Sequence, residues 1–308
     1  MQEKQIREIL KCTRCGKCVA NCPVYEELGW ESNSARGRML LAKALSEKAP
    51  ITQRLYDGLY TCTTCGLCGA TCPSGSHPEH VVEDARREIV LQGKVADRIN
   101  AMNSSVKKYG NPLKETKPRY EWMPPEIKLK PKADIVYFAG CLTSYRNPEV
   151  AQATIKILNK FGATMLLDEK CCGSPLIRVG DIPYEAMEAN LKQIRASGAK
   201  TLVTSCAGCY ATLSKNYSLN GVKVQHISQF LADHLKELNL PKLNLKVTYH
   251  DPCHLGRHSN IYEAPRTVIK QISELVEMKN IKDKARCCGG GGGVRSGYQD
   301  LSLAIAKK

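Results

Sequence analysis

Two cysteine runs with the same spacing constrain this chain more than any other feature. Residues 12–23 read CTRCGKCVANCP and residues 62–73 read CTTCGLCGATCP. Both fit the pattern C-x2-C-x2-C-x3-C-P, in which three closely spaced thiolates bind one [4Fe-4S] cubane and the fourth reaches a second cubane. One run alone would also fit zinc, but two with identical spacing favour iron and sulfide. The predicted ligand sets are Cys12, Cys15, Cys18 and Cys72 for one cubane, and Cys62, Cys65, Cys68 and Cys22 for the other.

A second group of cysteines is spread over three separate segments. It consists of Cys141, the adjacent pair Cys171 and Cys172, and the pair Cys206 and Cys209 in SCAGCY. One tetrahedral zinc ion needs only four ligands, so five thiols with a vicinal pair favour a site of several irons. A disulfide framework is the alternative, but vicinal cysteines rarely bridge each other and the N-terminal sequence lacks a secretory signal.

Alternating strand and helix patterns from Asp134 onward explain how these cysteines would meet. Each group follows a predicted strand: DIVYFAG precedes Cys141, ATMLLDE precedes Cys171, and KTLVTS precedes Cys206. Open α/β sheets bind ligands at the carboxyl ends of their strands, so three such loops converge on one site.

The same order of elements begins again near residue 245. LKVTYHDPCH brings Cys253 after a strand, and ARCCGGGGG brings Cys287 and Cys288, followed by a glycine run at 289–293 that permits close backbone approach. A further CxxC is expected about thirty residues later, beyond Lys308, so we interpret this copy as incomplete. Truncation of the sequence is the favoured explanation, with loss of the element from the natural protein as the alternative.

The fold class expected is an α+β multidomain protein. Residues 1–110 are predicted to form an all-helical two-cluster ferredoxin domain, with amphipathic helices near 34–48 and 79–108. Residues 111–132 carry five prolines and are predicted to be a linker or strap. Two α/β cysteine-rich modules follow, at 133–244 and 245–308, the second truncated. On the helix near 34–48, Arg36 and Arg38 are expected on a solvated face, with a place over a cluster or salt bridges to acidic neighbours as the alternatives. Trp122 of the strap is expected to pack ordinarily, with shielding of a cluster from solvent as the alternative.

The amino-acid composition indicates the cellular compartment and the kinds of partner that the protein has. The chain has 16 cysteines and no apolar run long enough for a bilayer, which indicates a cytoplasmic protein whose thiols stay reduced. The formal charge of +15 does not predict nucleic-acid binding, because each cubane with four thiolates adds roughly two negative charges. The basic residues are dispersed, without a stacking motif, and equally suit an anionic substrate or an acidic partner subunit.

Together these motifs resemble a known family. The two runs, followed by AGC…KCCGSP…TSCAGCY and HDPCHLGRH…RCCGGGGGVRS, are similar to the catalytic iron-sulfur D subunit of heterodisulfide reductase. Related subunits occur in glycolate, lactate and anaerobic glycerol-3-phosphate dehydrogenases and in thiol-linked fumarate reductase. The resemblance implies a role in methanogenesis, a b-type cytochrome partner, and two CCG modules. In the family each module binds a noncubane [4Fe-4S] cluster, and the disulfide of coenzyme M and coenzyme B is cleaved between them.

Carried onto this sequence, the resemblance assigns Cys141, Cys171, Cys172, Cys206 and Cys209 to a complete first CCG site, and Cys253, Cys287 and Cys288 to part of a second. It therefore implies one noncubane cluster, with the second in doubt. His254, beside Cys253, and His250 or His258 are candidates for proton transfer by position and by a pKa near neutrality, with a surface or structural role as the alternative for each. Arg257 and Arg295 are candidates for holding an anionic substrate, with ordinary salt bridges as the alternative.

Two functions compete at this point. The first is a disulfide reductase subunit that passes electrons through the cubanes to the CCG sites. The second is an electron-transfer subunit of a flavin-linked glycolate, lactate or glycerol-3-phosphate dehydrogenase that delivers electrons to a quinone or cytochrome. A zinc-binding or iron-sulfur scaffold without catalysis is a third interpretation. Either redox function calls for a partner subunit, with peripheral attachment to the inner face of the membrane through that partner as an option.

Overall fold

The computed structural model describes residues 3–308. Its first part is helical, as the sequence predicts, and local signals set the ends of the helices. Ser34 begins the third helix by accepting a hydrogen bond from the Gly37 amide, and Thr52 begins the fourth in the same way from Leu55. The helices are α1 Glu3–Leu10, α2 Pro23–Leu28, α3 Ala35–Ser46, α4 Gln53–Tyr60, α5 Leu67–Ala70, α6 Pro78–Leu91 and α7 Asp97–Tyr109.

Helices α3, α4 and α6 form the core of this part, with Met39, Leu59 and Ile89 almost fully buried. The polar face expected of α3 is only half right. Arg36 is half-buried and forms a salt bridge to Glu31, which was one of the alternatives, whereas Arg38 is 2% exposed, so a solvated face is wrong for Arg38. The Arg38 guanidinium instead hydrogen-bonds the Gly58 carbonyl at 2.8 Å inside the domain.

The segment from 111 to 132 has neither helix nor strand and runs over the surface of the next part, as expected of a strap. It is anchored by two buried side chains. Trp122 packs edge-on against Tyr137 with ring centroids 6.4 Å apart, in agreement with an ordinary packing role. The Arg119 side chain instead points inward and contacts Cys141 and Glu169.

The first α/β part has a parallel four-stranded sheet in the order β2-β1-β3-β4. Val136 and Phe138 of β1 and Leu202 of β3 are fully buried, as strands covered on both faces should be. The strand β2 is shorter than the pattern predicts, because the chain leaves the sheet at Leu167, which is 63% exposed. The elements are β1 Ile135–Phe138, α8 Cys141–Arg146, α9 Pro148–Asn159, β2 Thr164–Met165, α10 Ser174–Ile177, α11 Tyr184–Ala196, β3 Thr201–Thr204, α12 Ala207–Asn216, β4 Lys223–His226, α13 Ile227–Asp233 and α14 Leu235–Leu238.

The last part contains a parallel pair of two-residue strands and three helices. It packs against the helical part, since the Gly292 backbone lies so close to Cys62 that a Cβ at Gly292 would be 2.3 Å from the Cys62 carbonyl oxygen. The elements are β5 Lys246–Val247, α15 Glu263–Ile272, β6 Glu274–Leu275, α16 Val294–Gly297 and α17 Gln299–Ala306. No helix within residues 3–308 is long and apolar enough to cross a bilayer.

Candidate functional site

The first cysteine cavity lies between the first cysteine run and the start of α6. Its four thiols are those grouped by the spacing, Cys12, Cys15, Cys18 and Cys72. The loop is open to solvent, and Cys15 is an exposed residue. Burial and the neighbouring Cys12 thiol raise the pKa of Cys18 to about 11, so a cation in the cavity would be needed to keep this group of thiolates deprotonated together.

The second cysteine cavity is enclosed and is lined by the other four thiols, Cys22, Cys62, Cys65 and Cys68. Arg38 Nη1 lies 3.7 Å from Cys22 Sγ, and the other Arg38 nitrogens donate to Gly58 O and Thr61 Oγ1. No carboxylate pairs with Arg38 in residues 3–308. A buried cation that has no carboxylate partner destabilises the folded protein unless another anion lies beside it. Arg38 therefore fits a site that holds an anionic group. The donor set and the charge therefore both fit an iron-sulfur cluster.

Arg86 is a second buried arginine beside this cavity, and it ties together all three parts of the chain. Its guanidinium donates to Leu59 O, to Cys62 O at 2.7 Å, to Arg178 O at 2.7 Å and to Gly292 O at 2.9 Å. It also stacks 5.0 Å from the Tyr60 ring centroid. Its partners are all main-chain carbonyls, so no sequence pattern could have identified it.

The third cysteine group is assembled at the carboxyl ends of β1 and β3, where the strand pattern placed it. Thiol–thiol contacts join all five members into one chain: Cys141 to Cys171, Cys171 to Cys172, Cys172 to Cys209, and Cys209 to Cys206. Backbone packing is tight here, since a Cβ at Gly140 would lie 2.9 Å from Cys209 Sγ. The structure thus brings together the whole group predicted for the first CCG site.

Two of these thiols have acidic character. Hydrogen bonding from Cys171 lowers the pKa of Cys172 to about 6, and hydrogen bonding from Cys209 lowers the pKa of Cys206 to about 7. The pKa of Cys209 is raised well above its usual value by its contacts with Cys172 and Cys206 and by burial. The pKa values of Cys141 and Cys171 are also raised, so three of the five thiols keep their protons until a bound metal ion displaces them.

An ion pair that sequence reasoning missed supports this group. Arg119, from the strap, donates to Cys141 Sγ at 3.3 Å and to Glu169 Oε1 at 3.1 Å, and both charged side chains are buried. Glu169 accepts hydrogen bonds from the amides of Ala139 and Gly140, the two residues that precede Cys141. The only sequence signal was a lone arginine in a proline-rich strap, so the partner could not be inferred without the fold.

The fourth cysteine group lies against the second cavity. Cys287 contacts the Cys65 thiol, and its Sγ lies 3.3 Å from Thr63 Oγ1. Cys253 packs in the same cluster of buried residues, and burial raises its pKa to about 12, whereas Cys288 is exposed. The cysteines expected in the second CCG module are therefore next to one of the two ferredoxin-type cavities.

The other predicted site residues have mixed environments. Among the described residues, the buried Nδ1 atom of His254 has no hydrogen-bond partner. Burial lowers the pKa of His254 well below its usual value, so the expected near-neutral pKa is wrong. His250 bonds the Arg286 carbonyl at 2.8 Å, and His258 bonds the Thr64 carbonyl at 2.9 Å. Arg257 donates through Nε and Nη1 to three main-chain carbonyls (Cys65, Asp283 and Ala285), whereas its buried Nη2 atom has no partner within residues 3–308, and Arg295 is exposed.

Comparison with known proteins agrees with this arrangement. The family described as 4Fe-4S dicluster domain matches residues 8–76, and the family described as cysteine-rich domain matches residues 135–214 and 247–308. These matches support iron-sulfur clusters in both halves of the chain. No solved structure is a significant match.

The relatives are redox subunits. The chain is 37% identical to the D subunit of dihydromethanophenazine:CoB--CoM heterodisulfide reductase of Methanosarcina mazei, over 98% of this chain and 83% of that protein. It is 32% identical to the B subunit of fumarate reductase (CoM/CoB) of Methanothermobacter marburgensis, over 98% of this chain and 63% of that protein. It is 28% identical to EtfAB:quinone oxidoreductase of Syntrophomonas wolfei, over 94% of this chain and 49% of that protein.

Proposed function

The chain belongs to the family of heterodisulfide reductase D subunits, and from this membership we propose that it is the iron-sulfur subunit of an enzyme that reduces a disulfide of the coenzyme M–coenzyme B type. The membership makes it an oxidoreductase component. The single observation that carries the finer proposal is the complete five-thiol group at Cys141, Cys171, Cys172, Cys206 and Cys209. In an electron relay the same group would only pass electrons on, without binding a substrate sulfur.

We propose the following cofactors for these sites. A [4Fe-4S] cubane is held by Cys12, Cys15, Cys18 and Cys72, and a second by Cys22, Cys62, Cys65 and Cys68. A noncubane [4Fe-4S] cluster is held by the first five-thiol group, and Cys253, Cys287 and Cys288 contribute to another site. When bound, these groups supply one-electron transfer and a place for substrate sulfur. The proposed domains are 1–110, 111–132 as the strap, 133–244 and 245–308.

The residues around the second cavity support a direction of electron flow. Cys65 and Cys287 are in contact, although the first belongs to the second cysteine run and the second to the last module. Gly291 and Gly292 let the last module approach the carbonyls of Thr63 and Cys62 at closer range than any side chain would allow. Electrons therefore leave the helical domain from the second cysteine cavity, and the last module is the first to accept them.

In this proposal the substrate binds between the two cysteine-rich modules and receives its protons there. Arg178, near His254, is neutralised by its ion pair with Glu83. Lys215 of the first module hydrogen-bonds the His258 carbonyl of the last and brings a positive charge between the two modules. This charge suits a substrate with anionic ends. Because its pKa is lowered, His254 beside Cys253 would be a neutral imidazole that relays a proton rather than one that stores it, and its Nδ1 atom has no partner within residues 3–308. Each thiolate released from a disulfide needs one proton, so such a group is required near the reacting sulfur atoms.

A second candidate function follows from the more distant relative, EtfAB:quinone oxidoreductase. In that role the chain would relay electrons between a flavin dehydrogenase and a quinone or cytochrome, without a disulfide substrate of its own. Both functions place the chain beside a redox partner, either a b-type cytochrome or a flavin subunit, with attachment to the inner face of the membrane through that partner. Neither function involves nucleic acid.

The test is the content of iron and acid-labile sulfide in anaerobically purified protein, followed by EPR after oxidation with a thiol present. The proposal expects about twelve or more irons per chain and a paramagnetic signal that appears only with the thiol. About eight irons and no such signal would leave two cubanes and favour the relay. Iron near zero would support a zinc-binding scaffold and overturn both redox functions.

A further inference from the structure

The two cysteine runs are internal repeats, yet their outer faces differ in what covers them. In the second repeat, residues 62–66 are all buried. In the first repeat the equivalent residues are 12–16, of which 13–15 are exposed and Cys12 and Gly16 are half-buried. The same loop conformation occurs in both, since Arg14 has φ 60° and the equivalent Thr64 has φ 49°. The difference therefore arises from what packs against each loop and not from the loop itself.

The last module covers the second repeat through specific contacts. His258 Nε2 bonds the Thr64 carbonyl at 2.9 Å, and Arg257 Nε donates to the Cys65 carbonyl at 2.8 Å. Leu67 packs in the same buried cluster as Cys287 and Val294. Thus the outer face of one ferredoxin-type loop is already occupied by a module that carries the next redox site.

The first repeat has a basic face at the equivalent place. Arg36 Nη1 donates weakly to the Arg14 carbonyl at 3.5 Å. This carbonyl is equivalent to the Thr64 carbonyl, which bonds His258 in the other repeat. Arg14 and Lys17 stand where the second repeat has Thr64 and Leu67, and both are exposed. Arg36 is paired with Glu31 and Lys11 with Glu8, but Arg14 and Lys17 form no ion pair within residues 3–308.

We propose that this basic face, formed by Arg14, Lys17 and Arg36 around exposed Cys15, is the docking surface for an acidic electron-transfer protein. The last module, which carries the next redox site, occupies the equivalent face of the second cysteine run. The replacement of Thr and Leu by Arg and Lys specifies a negatively charged partner. One electron passes from the reduced partner to the site at Cys12, Cys15, Cys18 and Cys72, so the partner is oxidised and this site is reduced by one electron. The inference rests on the proposed function, because it requires a cluster at these four thiols.

The test measures the rate at which a reduced acidic two-iron ferredoxin reduces the iron-loaded chain, by anaerobic stopped-flow at several salt concentrations. Lys17→Glu, alone and combined with Arg14→Glu, is compared with Lys236→Glu, which makes the same charge change at an exposed residue of α14. The wild-type rate should fall steeply with salt. Lys17→Glu should slow reduction about tenfold at low salt and flatten the salt dependence, and the double variant should slow it further. Lys236→Glu should behave as the wild type.

The outcomes separate this inference from the function on which it rests. Wild-type protein that contains no iron would overturn both. Iron-loaded protein whose reduction rate is the same with Lys17→Glu, or falls equally with Lys236→Glu, would overturn the docking surface and leave the proposed function intact. Binding to vesicles of anionic phospholipid that Lys17→Glu abolishes, without any change in the reduction rate, would also overturn it, because the face would then meet a lipid surface.

Discussion

Arg119 Nη1 lies 3.3 Å from Cys141 Sγ, although the arginine belongs to the strap and the cysteine begins α8 of the first module. The same guanidinium is paired with Glu169, and Glu169 in turn holds the amides before Cys141. The strap is therefore part of the first CCG site. Its charge stabilises a thiolate at Cys141, which burial and the Cys171 thiol otherwise disfavour by raising the pKa of Cys141.

Arg119→Gln should damage this site more than it damages the rest of the protein. It leaves Glu169 buried without its cation, which costs about 3–5 kcal/mol in comparable buried pairs. We expect a lower midpoint of unfolding in denaturant and loss of the thiol-dependent EPR signal, with both cubane signals kept. The double variant Arg119→Gln with Glu169→Gln is the control. It should recover stability but not the signal, and recovery of both would mean that Arg119 acts only through Glu169.

Cys22→Ser tests the crossed pairing of the two runs. Because Cys22 lines the cavity with Cys62, Cys65 and Cys68, its loss should remove about four irons and the signal of that cubane alone. Cys72→Ser is the matched variant and should remove the other cubane. Each variant is analysed for iron and by EPR after reduction. If Cys22→Ser affected the cluster at Cys12, Cys15 and Cys18 instead, each run would hold its own fourth ligand.

The cysteine groupings could be predicted from sequence because a cluster fixes the spacing of its ligands, and because strand ends of a parallel sheet share one edge. The charged residues around the clusters could not. Helical periodicity favours a solvated face for Arg38 and leaves a place over a cluster as the alternative, because it reports which side of α3 a residue is on and not that this side meets a cluster cavity. Arg119 and Arg86 bond main-chain or distant groups that only the tertiary structure brings near. The near-neutral pKa expected of His254 is wrong for the same reason, because the burial of this side chain depends on the contact between modules.

Arg86→Met should weaken the association of all three parts of the chain. The change removes donors to the carbonyls of Leu59, Cys62, Arg178 and Gly292 and leaves these acceptors buried, at about 1–3 kcal/mol for each one that water cannot reach. We expect the free energy of unfolding to fall by about 3 kcal/mol or more. Arg87→Met, at the exposed neighbour on α6, is the control and should change it by less than about 0.5 kcal/mol. Equal effects of the two variants would contradict the role given to Arg86.

His226 should make the first module sensitive to acid. Burial lowers its pKa to about 4, from about 6.5 in the unfolded chain, so the folded state disfavours the protonated form. The stabilising contribution is therefore present above pH 6.5 and is lost as pH falls from 6.5 to 4, by up to about 1.4 kcal/mol per pH unit. His226→Asn keeps a side chain able to cap α13 and removes the titration. Thermal unfolding of both proteins from pH 4 to 8 should show curves that differ in slope only below pH 6.5, whereas parallel curves would contradict the prediction.

Gly292→Ala tests whether electrons leave the helical domain through the contact between Cys65 and Cys287. Gly292 has φ 59°, and its new Cβ would lie 2.3 Å from the Cys62 carbonyl oxygen, so the last module must move away from the second cavity. Gly162→Ala is the matched control, because Gly162 has φ 71° and a Cβ there meets nothing within 4 Å. Both variants carry the cost of a left-handed alanine, about 1–2 kcal/mol, so any further loss in Gly292→Ala measures the interface. We expect Gly292→Ala to keep two reducible cubanes but to lower the rate of disulfide reduction with a reduced dye as donor at least tenfold, while Gly162→Ala lowers it little. Equal rates for the two variants would mean that electrons reach the substrate site by another path.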